Sequence, residues 1–326
     1  MASARYDRIV TEPSEIAAAV TALRSGGVIG LPTETVYGLA GDASNRDAVA
    51  RIFALKGRPA THPVIVHIAD VGQVSQWARE FPPAARALAR RFWPGPLTLV
   101  LPRADSVLHE VTGGQDTVAL RVPAHPIALA VLRAFGGGLA APSANRYGHI
   151  SPTTAAHVRD DLGDAVPIVL EGGPADVGLE STIVACLDGE VSILRPGQIV
   201  VADIEAVAGP LTKARATAPR VPGRVTSHYA PRTPLHLVDG DDLDRTLATF
   251  RQDGRRAAVL APPRTVPPAG VTWVDAPDAP EAYARHLYAL LRELDRAGAD
   301  AILVARPPDG PRWYAVHDRL GRASAR

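Results

Sequence analysis

The sequence predicts an α/β protein with two domains: an N-terminal open, twisted mixed sheet with helices, and a smaller Rossmann-like α/β domain at the C-terminal end. The chain has 326 residues and is 46% hydrophobic, enough for two cores. Apolar runs of strand length alternate with stretches of helical periodicity. Between residues 209 and 234 the composition shifts to Pro, Ala, Thr and Arg. We therefore predict a catalytic domain over 1–208, a basic Pro-rich linker over 209–234 and a small domain over 235–326.

The stretch from Gly26 to Ile68 organises the N-terminal domain. A short apolar run over 28–31 reads as a strand buried on both faces, and polar residues crowd at its carboxyl end, where open α/β sheets bind ligands. A helix follows, capped by Ser44 or Asn45 and ended by Gly57. Lys56, Arg58 and His62 then form a basic turn that we expect to be exposed, and a second strand over 64–68 carries His67.

Later strands of this domain also carry polar side chains. Residues 117–122 alternate, which places Arg121 opposite the face of Val118, Leu120 and Val122. That face is either exposed to solvent or lines a cleft. In a cleft, the guanidinium of Arg121 would be suited to binding a carboxylate. A short strand over 139–145 ends in a second polar turn. Asp188-Gly189 predicts a hairpin that includes Cys186, which we interpret as structural.

Two helix starts are predicted from Pro at the first helical position. Thr11 or Ser14 with Pro13 is expected to open the first helix, and Ser151 with Pro152 a later one. The free N–H groups at the second start would favour an anion, so capping and phosphate contact are compatible roles for Ser151.

The small domain is predicted as strand, helix, strand, strand, helix, strand and terminal helix from Leu235 onward. This order favours a Rossmann-like arrangement. It contains no G-x-G-x-x-G, so we assign it no dinucleotide.

Composition excludes several classes of protein. The net charge is +1, so any contact with RNA would be local, and one cysteine excludes an intramolecular disulfide framework. Neither a signal peptide nor an apolar run of about 20 residues is present, which predicts a cytoplasmic protein. Walker A, zinc-ligand and G-x-S-x-G patterns are also missing. The recurring strand-end polar residues indicate a site that binds and orients anionic substrates rather than one that supplies a nucleophile.

The motifs identify a family. Residues 32–39 (PTETVYGL), residues 56–59 (KGRP) and His67 together resemble the YrdC-like family, in its long form with an extra C-terminal domain. The resemblance covers 10–232 strongly and the remainder weakly. His62 departs from the pattern, since many relatives have Asn there. The resemblance implies an enzyme, a nucleotidyltransferase that forms L-threonylcarbamoyladenylate and diphosphate from L-threonine, bicarbonate and ATP, for the modification of adenosine 37 in tRNA.

The resemblance also assigns roles to individual residues. Expected at L-threonine are Thr35, His67, Arg121, the main chain of Ala141, and Ser181. Expected at ATP are Arg58, His62, Thr117, Ser143, Ser151 and Arg195. Tyr229, in the last part of the linker, is a further candidate for nucleotide contact, and packing against the small domain is an equal alternative for it. Expected near the reacting phosphate and carbamate are Lys56, Arg58 and Asn145.

No protein metal site is expected, because Mg²⁺ would arrive with the phosphates of ATP. Expected partners are the substrates and a downstream threonylcarbamoyl transferase; direct tRNA binding is weakly supported. We further hypothesise that Gly209–Arg232 is a mobile lid, because it holds cations and no acid. Two alternatives remain: a carbamoyltransferase acting through carbamoyl-adenylate, and an RNA-binding module without activity.

Overall fold

The computed structural model describes residues 12–223 and 228–325. They form two compact units, one within Met1–Tyr147 and Pro152–Arg224 and the other within Gly148–Ser151 and Val225–Arg326. The predicted fold class is confirmed: the larger unit contains an eight-stranded mixed sheet and the smaller unit a four-stranded parallel sheet, both with helices.

The larger unit has eight strands and eight α-helices among its described residues. The strands are β1 (Val28–Leu31), β2 (Gly38–Asp42), β3 (Ile65–His67), β4 (Leu97–Pro102), β5 (Thr117–Arg121), β6 (Leu139–Ala140), β7 (Thr182–Leu187) and β8 (Glu190–Arg195). The helices are α1 (Pro13–Arg24), α2 (Arg46–Lys56), α3 (Val74–Trp77), α4 (Pro83–Phe92), α5 (His109–Thr112), α6 (Pro126–Phe135), α7 (Ala155–Leu162) and α8 (Val201–Ala208).

The order of strands in the large sheet is β1-β2-β6-β3-β5-β4-β7-β8. The central pair β3 and β5 is parallel, and its register places His67 beside Arg121. Because side chains alternate along a strand, Val66 and Leu120 point to the opposite face, where they join the main core. Ile65 and Ala119 share the face of His67 and Arg121 and join a smaller cluster. The alternation predicted for residues 117–122 is therefore confirmed.

Local signals in the sequence explain where several elements begin and end. The Asn45 side chain accepts from the main-chain N–H groups of Asp47 and Ala48 at the start of α2, and Gly57 ends this helix with φ 63°. Asp188 and Gly189, with φ 51° and 76°, make the predicted hairpin between β7 and β8. Cys186 is buried there, and burial raises its thiol pKa to about 12, so it is unreactive as expected.

The first helix begins at Pro13 as predicted, but its cap is corrected by the structure, and so is the start of the helix predicted at Ser151. The N-cap of α1 is Glu12, not Ser14, and its N–H donates to the Glu15 carboxylate; Thr11 lies outside the described residues. Ser151 does not cap α7, which begins at Ala155 with Thr154 as N-cap. The residues between are held extended, since Tyr37 N–H donates to the Pro152 carbonyl at 2.9 Å, so Ser151 has no adjacent helix N-terminus to form an anion site.

Four elements of the large unit escaped sequence reasoning: strand β2 and helices α3, α5 and α8. Strand β2 pairs antiparallel with β1, but it contains Gly38 and Gly41, which weaken a strand signal. A side chain at Gly41 would crowd Ile52, with the nearest atom 3.1 Å from an added Cβ. Residues 168–170 run beside β1 and pair with it through an isolated bridge between Val169 and Gly30.

The smaller unit matches its predicted order of elements. Its strands are β9 (Leu235–Val238), β10 (Ala257–Ala261), β11 (Thr272–Asp275) and β12 (Ala301–Ala305), all parallel in the order β11-β10-β12-β9. Its helices are α9 (Leu243–Gln252), α10 (Pro280–Asp295) and α11 (Tyr314–Ala323). In neither unit do the described residues include a helix that is long and apolar enough to cross a membrane.

Candidate functional site

The loop after β1 is a rigid polar turn. The Thr33 hydroxyl donates to the Val36 carbonyl at 2.6 Å and accepts from the main-chain N–H groups of Thr35 and Val36. The Tyr37 hydroxyl donates to the Gly173 carbonyl at 2.8 Å and accepts from Gly172 N–H at 3.0 Å. These bonds satisfy the buried hydroxyls and fix the directions in which Glu34 and Thr35 point.

Arg121, at the end of β5, is buried against this turn. Its guanidinium donates to the Thr35 hydroxyl at 2.7 Å and to the Gly95 carbonyl at 3.2 Å. A third contact, 2.6 Å long, joins it to the Glu34 carboxylate. The sequence predicted Thr35 and Arg121 for one site, and the structure brings them into direct contact. The predicted single cation on a small polar face is instead half of a buried ion pair.

His67 lies beside Arg121 in the neighbouring strand and is also buried, with 3% of its surface exposed. Neither ring nitrogen has a hydrogen-bond partner among the described residues. Burial, and then the charge of Arg121, holds the pKa of His67 well below its usual value. A neutral imidazole with unsatisfied nitrogens is therefore available to a polar ligand on this face of the sheet.

Lys56, expected in an exposed turn, is instead 3% exposed. Its ammonium donates to the main-chain carbonyls of Ser143 and Asn145 at 2.6 Å each and lies 3.3 Å from the Asn145 side-chain oxygen. It is buried because α2 packs its last turn against the polar turn after β6. Lys56 thus cross-links the KGRP motif to Ser143 and Asn145, which the sequence had placed in the same site.

Arg58 is also buried, at 7% exposure, which corrects the same expectation. Its guanidinium donates to the Pro63 carbonyl at 2.7 Å and lies over the Tyr147 ring, 5.6 Å from the centroid. The Tyr147 hydroxyl is 3.0 Å from Nδ1 of His62. Tyr147 therefore joins two residues predicted at ATP. Burial, followed by the charges of Arg58 and Arg220, lowers the pKa of His62.

Ser181 and Arg195 form a third group at the start of β7 and the end of β8. The Arg195 guanidinium donates to the Ser181 carbonyl at 2.9 Å and to the Ser181 hydroxyl at 3.2 Å. That hydroxyl is 2.7 Å from the hydroxyl of Thr98 on β4.

Two further predicted site residues lie on other strands or beside them. The main-chain N–H of Ala141 donates to the Ile65 carbonyl at 3.1 Å. Thr117 opens β5 and is half-buried.

The first part of the linker packs on the larger unit. Val221 joins the cluster of Ile65 and Ala119, on the sheet face that carries His67 and Arg121. The Gln115 side chain accepts from Arg220 N–H at 2.6 Å and donates to the Arg220 carbonyl at 3.0 Å. Arg195 donates to the Pro222 carbonyl at 3.0 Å. Residues 224–227 lie outside the described part.

Ser151 and Tyr229 belong to the smaller unit. Both are buried, and the Tyr229 ring stacks on Tyr288 with centroids 5.7 Å apart. The Arg319 guanidinium lies 5.2 Å from the centre of the Tyr229 ring. Tyr229 has φ 61°, an uncommon conformation for a residue that is not glycine.

Sequence reasoning missed three residues of these groups. Glu34 lies in the PTET motif and was interpreted only as part of a polar turn, although its position three residues past a buried strand could have singled it out. Gln115 and Tyr147 carry no local signal, because their contacts are with Arg220 and Arg58 in distant parts of the chain. No three His, Cys, Asp or Glu side chains in the described ranges are placed to hold a metal ion together.

The fold and these groups define an α/β protein that holds buried cations, hydroxyls and imidazoles at the ends of its strands, a class suited to binding polar, anionic substrates. Two family models match the chain: Sua5/YciO/YrdC, described as telomere recombination, over residues 21–197, and the threonylcarbamoyl-AMP synthase C-terminal domain over residues 199–325. The chain belongs to the threonylcarbamoyl-AMP synthase family, whose members are enzymes of the nucleotidyltransferase type.

Relatives from distant organisms match along nearly the whole chain. The threonylcarbamoyl-AMP synthase of Bacillus subtilis is 40% identical over 98% of this chain and 95% of its own length. The enzyme of Schizosaccharomyces pombe is 32% identical over 91% of this chain and 85% of its own. Among solved structures, Pyrococcus abyssi Sua5 complexed with L-threonine has a TM-score of 0.90 and 38% identity, covering 97% of this chain and 95% of that one.

Proposed function

We propose that this chain joins L-threonine, bicarbonate and ATP into L-threonylcarbamoyl-AMP, releasing diphosphate and water. The observation that carries the proposal is the grouping of Thr35, His67 and Arg121 on one buried face of the large sheet, where a carboxylate and a hydroxyl of one small molecule find complementary partners. The complex of the Pyrococcus abyssi relative with L-threonine supports the same ligand.

We assign L-threonine to one set of residues. The guanidinium of Arg121 takes its carboxylate, and the neutral imidazole of His67 is available to its hydroxyl. The remaining members of the set are Thr35, the main chain of Ala141, and Ser181. Ser181 lies beside Arg195, which we assign to the nucleotide, so these two residues provide a point at which the two substrates meet.

ATP is assigned to a second set of residues, of which Arg58 and His62 are linked through Tyr147. The other members within the larger unit are Thr117, Ser143 and Arg195. Nucleotide contact by Ser151 and Tyr229, which belong to the smaller unit, stays a prediction. For Lys56 we propose a positioning role, because its ammonium is already bonded to the carbonyls of Ser143 and Asn145. Asn145 is then held near the reacting groups.

The reaction requires no nucleophile from the protein. The threonine ammonium first loses a proton to solvent. The resulting amine takes up bicarbonate and water leaves, giving a carbamate; a carbamate oxygen then attacks the α-phosphorus of ATP and diphosphate departs. The protein contributes positioning and stabilisation of charge. Mg²⁺ would be held chiefly by the phosphates and water.

Two further parts of the proposal concern what surrounds the reaction. The product would pass to a separate transferase that modifies adenosine 37 of tRNA. The segment Gly209–Arg232 would act as a lid that protects the labile adenylate from water. In support, Val221 lies on the sheet face of Arg121. Limited proteolysis with and without ATP plus threonine tests the lid. We expect the ligands to protect the segment from cleavage; unchanged cleavage would show that it only connects the two domains.

The activity is tested by incubating the purified protein with ATP, bicarbonate and each amino acid in turn while diphosphate release is followed. Release that depends on threonine and on bicarbonate is expected. Release without an amino acid would favour carbamoyl-adenylate chemistry, and no release with any amino acid would favour a binding module.

A further inference from the structure

Glu34 is a buried carboxylate to which the proposed reaction gives no role. It is 5% exposed. One of its oxygens lies 2.6 Å from the Arg121 guanidinium, and the other accepts from the main-chain N–H of Ala124 at 3.0 Å. The hydrogen-bonded turn at Thr33 fixes the main chain on either side of it. Glu34 is therefore held in one position beside the residue assigned to the substrate carboxylate.

Burial of an ion pair costs free energy. Removing two charges from water costs several kcal/mol per ion by general estimates, and apolar residues of similar volume are often at least as stabilising. The charges of Glu34 and Arg121 cancel each other, so the pair does not neutralise any other charge in this turn. The pair therefore suggests a ligand that uses both charges.

We propose that Glu34 binds the ammonium group of the α-amino acid whose carboxylate is bound by Arg121, so that this ion pair recognises a zwitterion. The identity of the amino acid as threonine rests on the proposed function; the recognition of a zwitterion does not. Arg121 has five N–H groups, of which two are donated to uncharged oxygens, so three serve Glu34 and a second carboxylate. The ammonium would lie against the free lone pairs of the Glu34 carboxylate.

Charge balance makes this arrangement selective. An Arg121 without Glu34 would present one positive charge and favour any small carboxylate. With Glu34 the site is neutral, and a ligand without an ammonium group would leave two carboxylates sharing the single positive charge of Arg121, a net negative charge in a buried site. Glu34 therefore discriminates against the deaminated analogue of the substrate.

The test compares two ligands that differ only in the α-ammonium group, L-threonine and 3-hydroxybutanoate, by calorimetry on the full chain. In the wild type, threonine is expected to bind more tightly. Glu34→Gln should weaken threonine binding by about 10- to 100-fold, the range for a hydrogen bond to a charged group. Binding of 3-hydroxybutanoate should be unchanged or tighter. Glu80→Gln, which changes an exposed carboxylate elsewhere, should affect neither ligand.

Equal weakening of both ligands by Glu34→Gln would overturn the proposal, because it would show that Glu34 only positions Arg121. If that variant does not fold, Glu34→Asp decides in the same comparison: selective loss of threonine supports the zwitterion site and equal loss overturns it. Binding of serine or another α-amino acid in place of threonine, with the same dependence on Glu34, would contradict the proposed function and support this site. Failure to bind any α-amino acid would overturn both.

Discussion

The two sheets of this protein differ in whether charged side chains are buried at their strand ends. In the large sheet, strand ends and the turns beside them bury Glu34, Lys56, Arg58, Arg121 and Arg195. In the small sheet, β10 and β12 are wholly apolar and buried, and the buried arginines Arg292 and Arg319 lie on helices instead. Charges buried within a sheet are costly and persist where a ligand or a network uses them, whereas the arginines of the small unit brace its helices. We therefore expect the buried charges of the large unit, rather than those of the small one, to serve the substrates.

Removal of Arg121 should have the largest effect. Arg121→Ala leaves Glu34 buried without its partner, so we expect the free energy of unfolding to fall by roughly 3 to 5 kcal/mol and threonine binding to be lost. Arg121→Lys keeps a charge but loses the planar fork; it should retain more stability and still bind threonine weakly. Chemical denaturation and calorimetry measure the two quantities.

The small unit supplies the contrast for this experiment. Arg319→Met removes a buried guanidinium, but its partner Asp318 keeps a second ion pair, with Arg322 at 2.9 Å. Its cost in stability should therefore be smaller, and affinity for threonine should not change. If Arg319→Met lost as much threonine affinity as Arg121→Lys, the proposed difference between the buried arginines of the two units would be contradicted.

Replacement of Lys56 should have the next largest effect. Lys56→Met leaves three buried oxygens of Ser143 and Asn145 without their donor, at a cost of about 1 to 3 kcal/mol in the free energy of unfolding. Turnover should fall as well, because the turn after β6 loses its support. Thermal melting and diphosphate release measure both. Lys213→Met, at an exposed linker position, is the control, and an equally stable Lys56→Met would show that the amine does not brace the turn.

The burial of His67 predicts a dependence of stability on pH. Its folded pKa lies well below the unfolded value of about 6.5, so below that pH the unfolded chain binds a proton that the folded chain does not. The free energy of unfolding should therefore fall as the pH drops from about 6.5 toward the folded pKa, by at most about 1.4 kcal/mol per pH unit for one proton. His67→Gln should flatten this decline. An unchanged slope in that variant would mean that His67 is protonated in the folded protein.

The smallest expected effect concerns the linker. Gln115→Ala removes two hydrogen bonds to the main chain of Arg220, which should cost about 1 kcal/mol and speed proteolytic cleavage within 209–223. Arg215→Ala removes an exposed ion pair with Glu190 and should change little. If both variants change the cleavage rate equally, Gln115 does not stabilise this segment more than the exposed ion pair does.

The sequence predicted the large sheet and its site unevenly, for identifiable reasons. Short, mainly apolar runs located β1 and β3, and the alternation of 117–122 located β5 and correctly assigned the face of Arg121. The glycines of β2 hid that strand. The exposure expected for Lys56 and Arg58 was wrong because a turn after a helix is normally solvated, and nothing local reveals that the turn after β6 covers it.

Pairings between distant segments were beyond the reach of local patterns. The contact of Glu34 with Arg121 joins residues far apart in sequence, and so does that of Gln115 with Arg220. The start of α7 was misplaced because Ser151-Pro152 carries an N-cap signal that tertiary pairing with Tyr37 overrides. In the small unit, the predicted order of strands and helices is confirmed.

The central claim is that this chain carboxylates the amine of threonine and then adenylates the resulting carbamate. Its most direct test is mass spectrometry of the nucleotide product formed from ATP, L-threonine and ¹³C-labelled bicarbonate. The account predicts threonylcarbamoyl-AMP, about one mass unit heavier than the product from unlabelled bicarbonate. A threonine-containing adenylate that carries no label would contradict it, because the carbonyl carbon would then not come from bicarbonate.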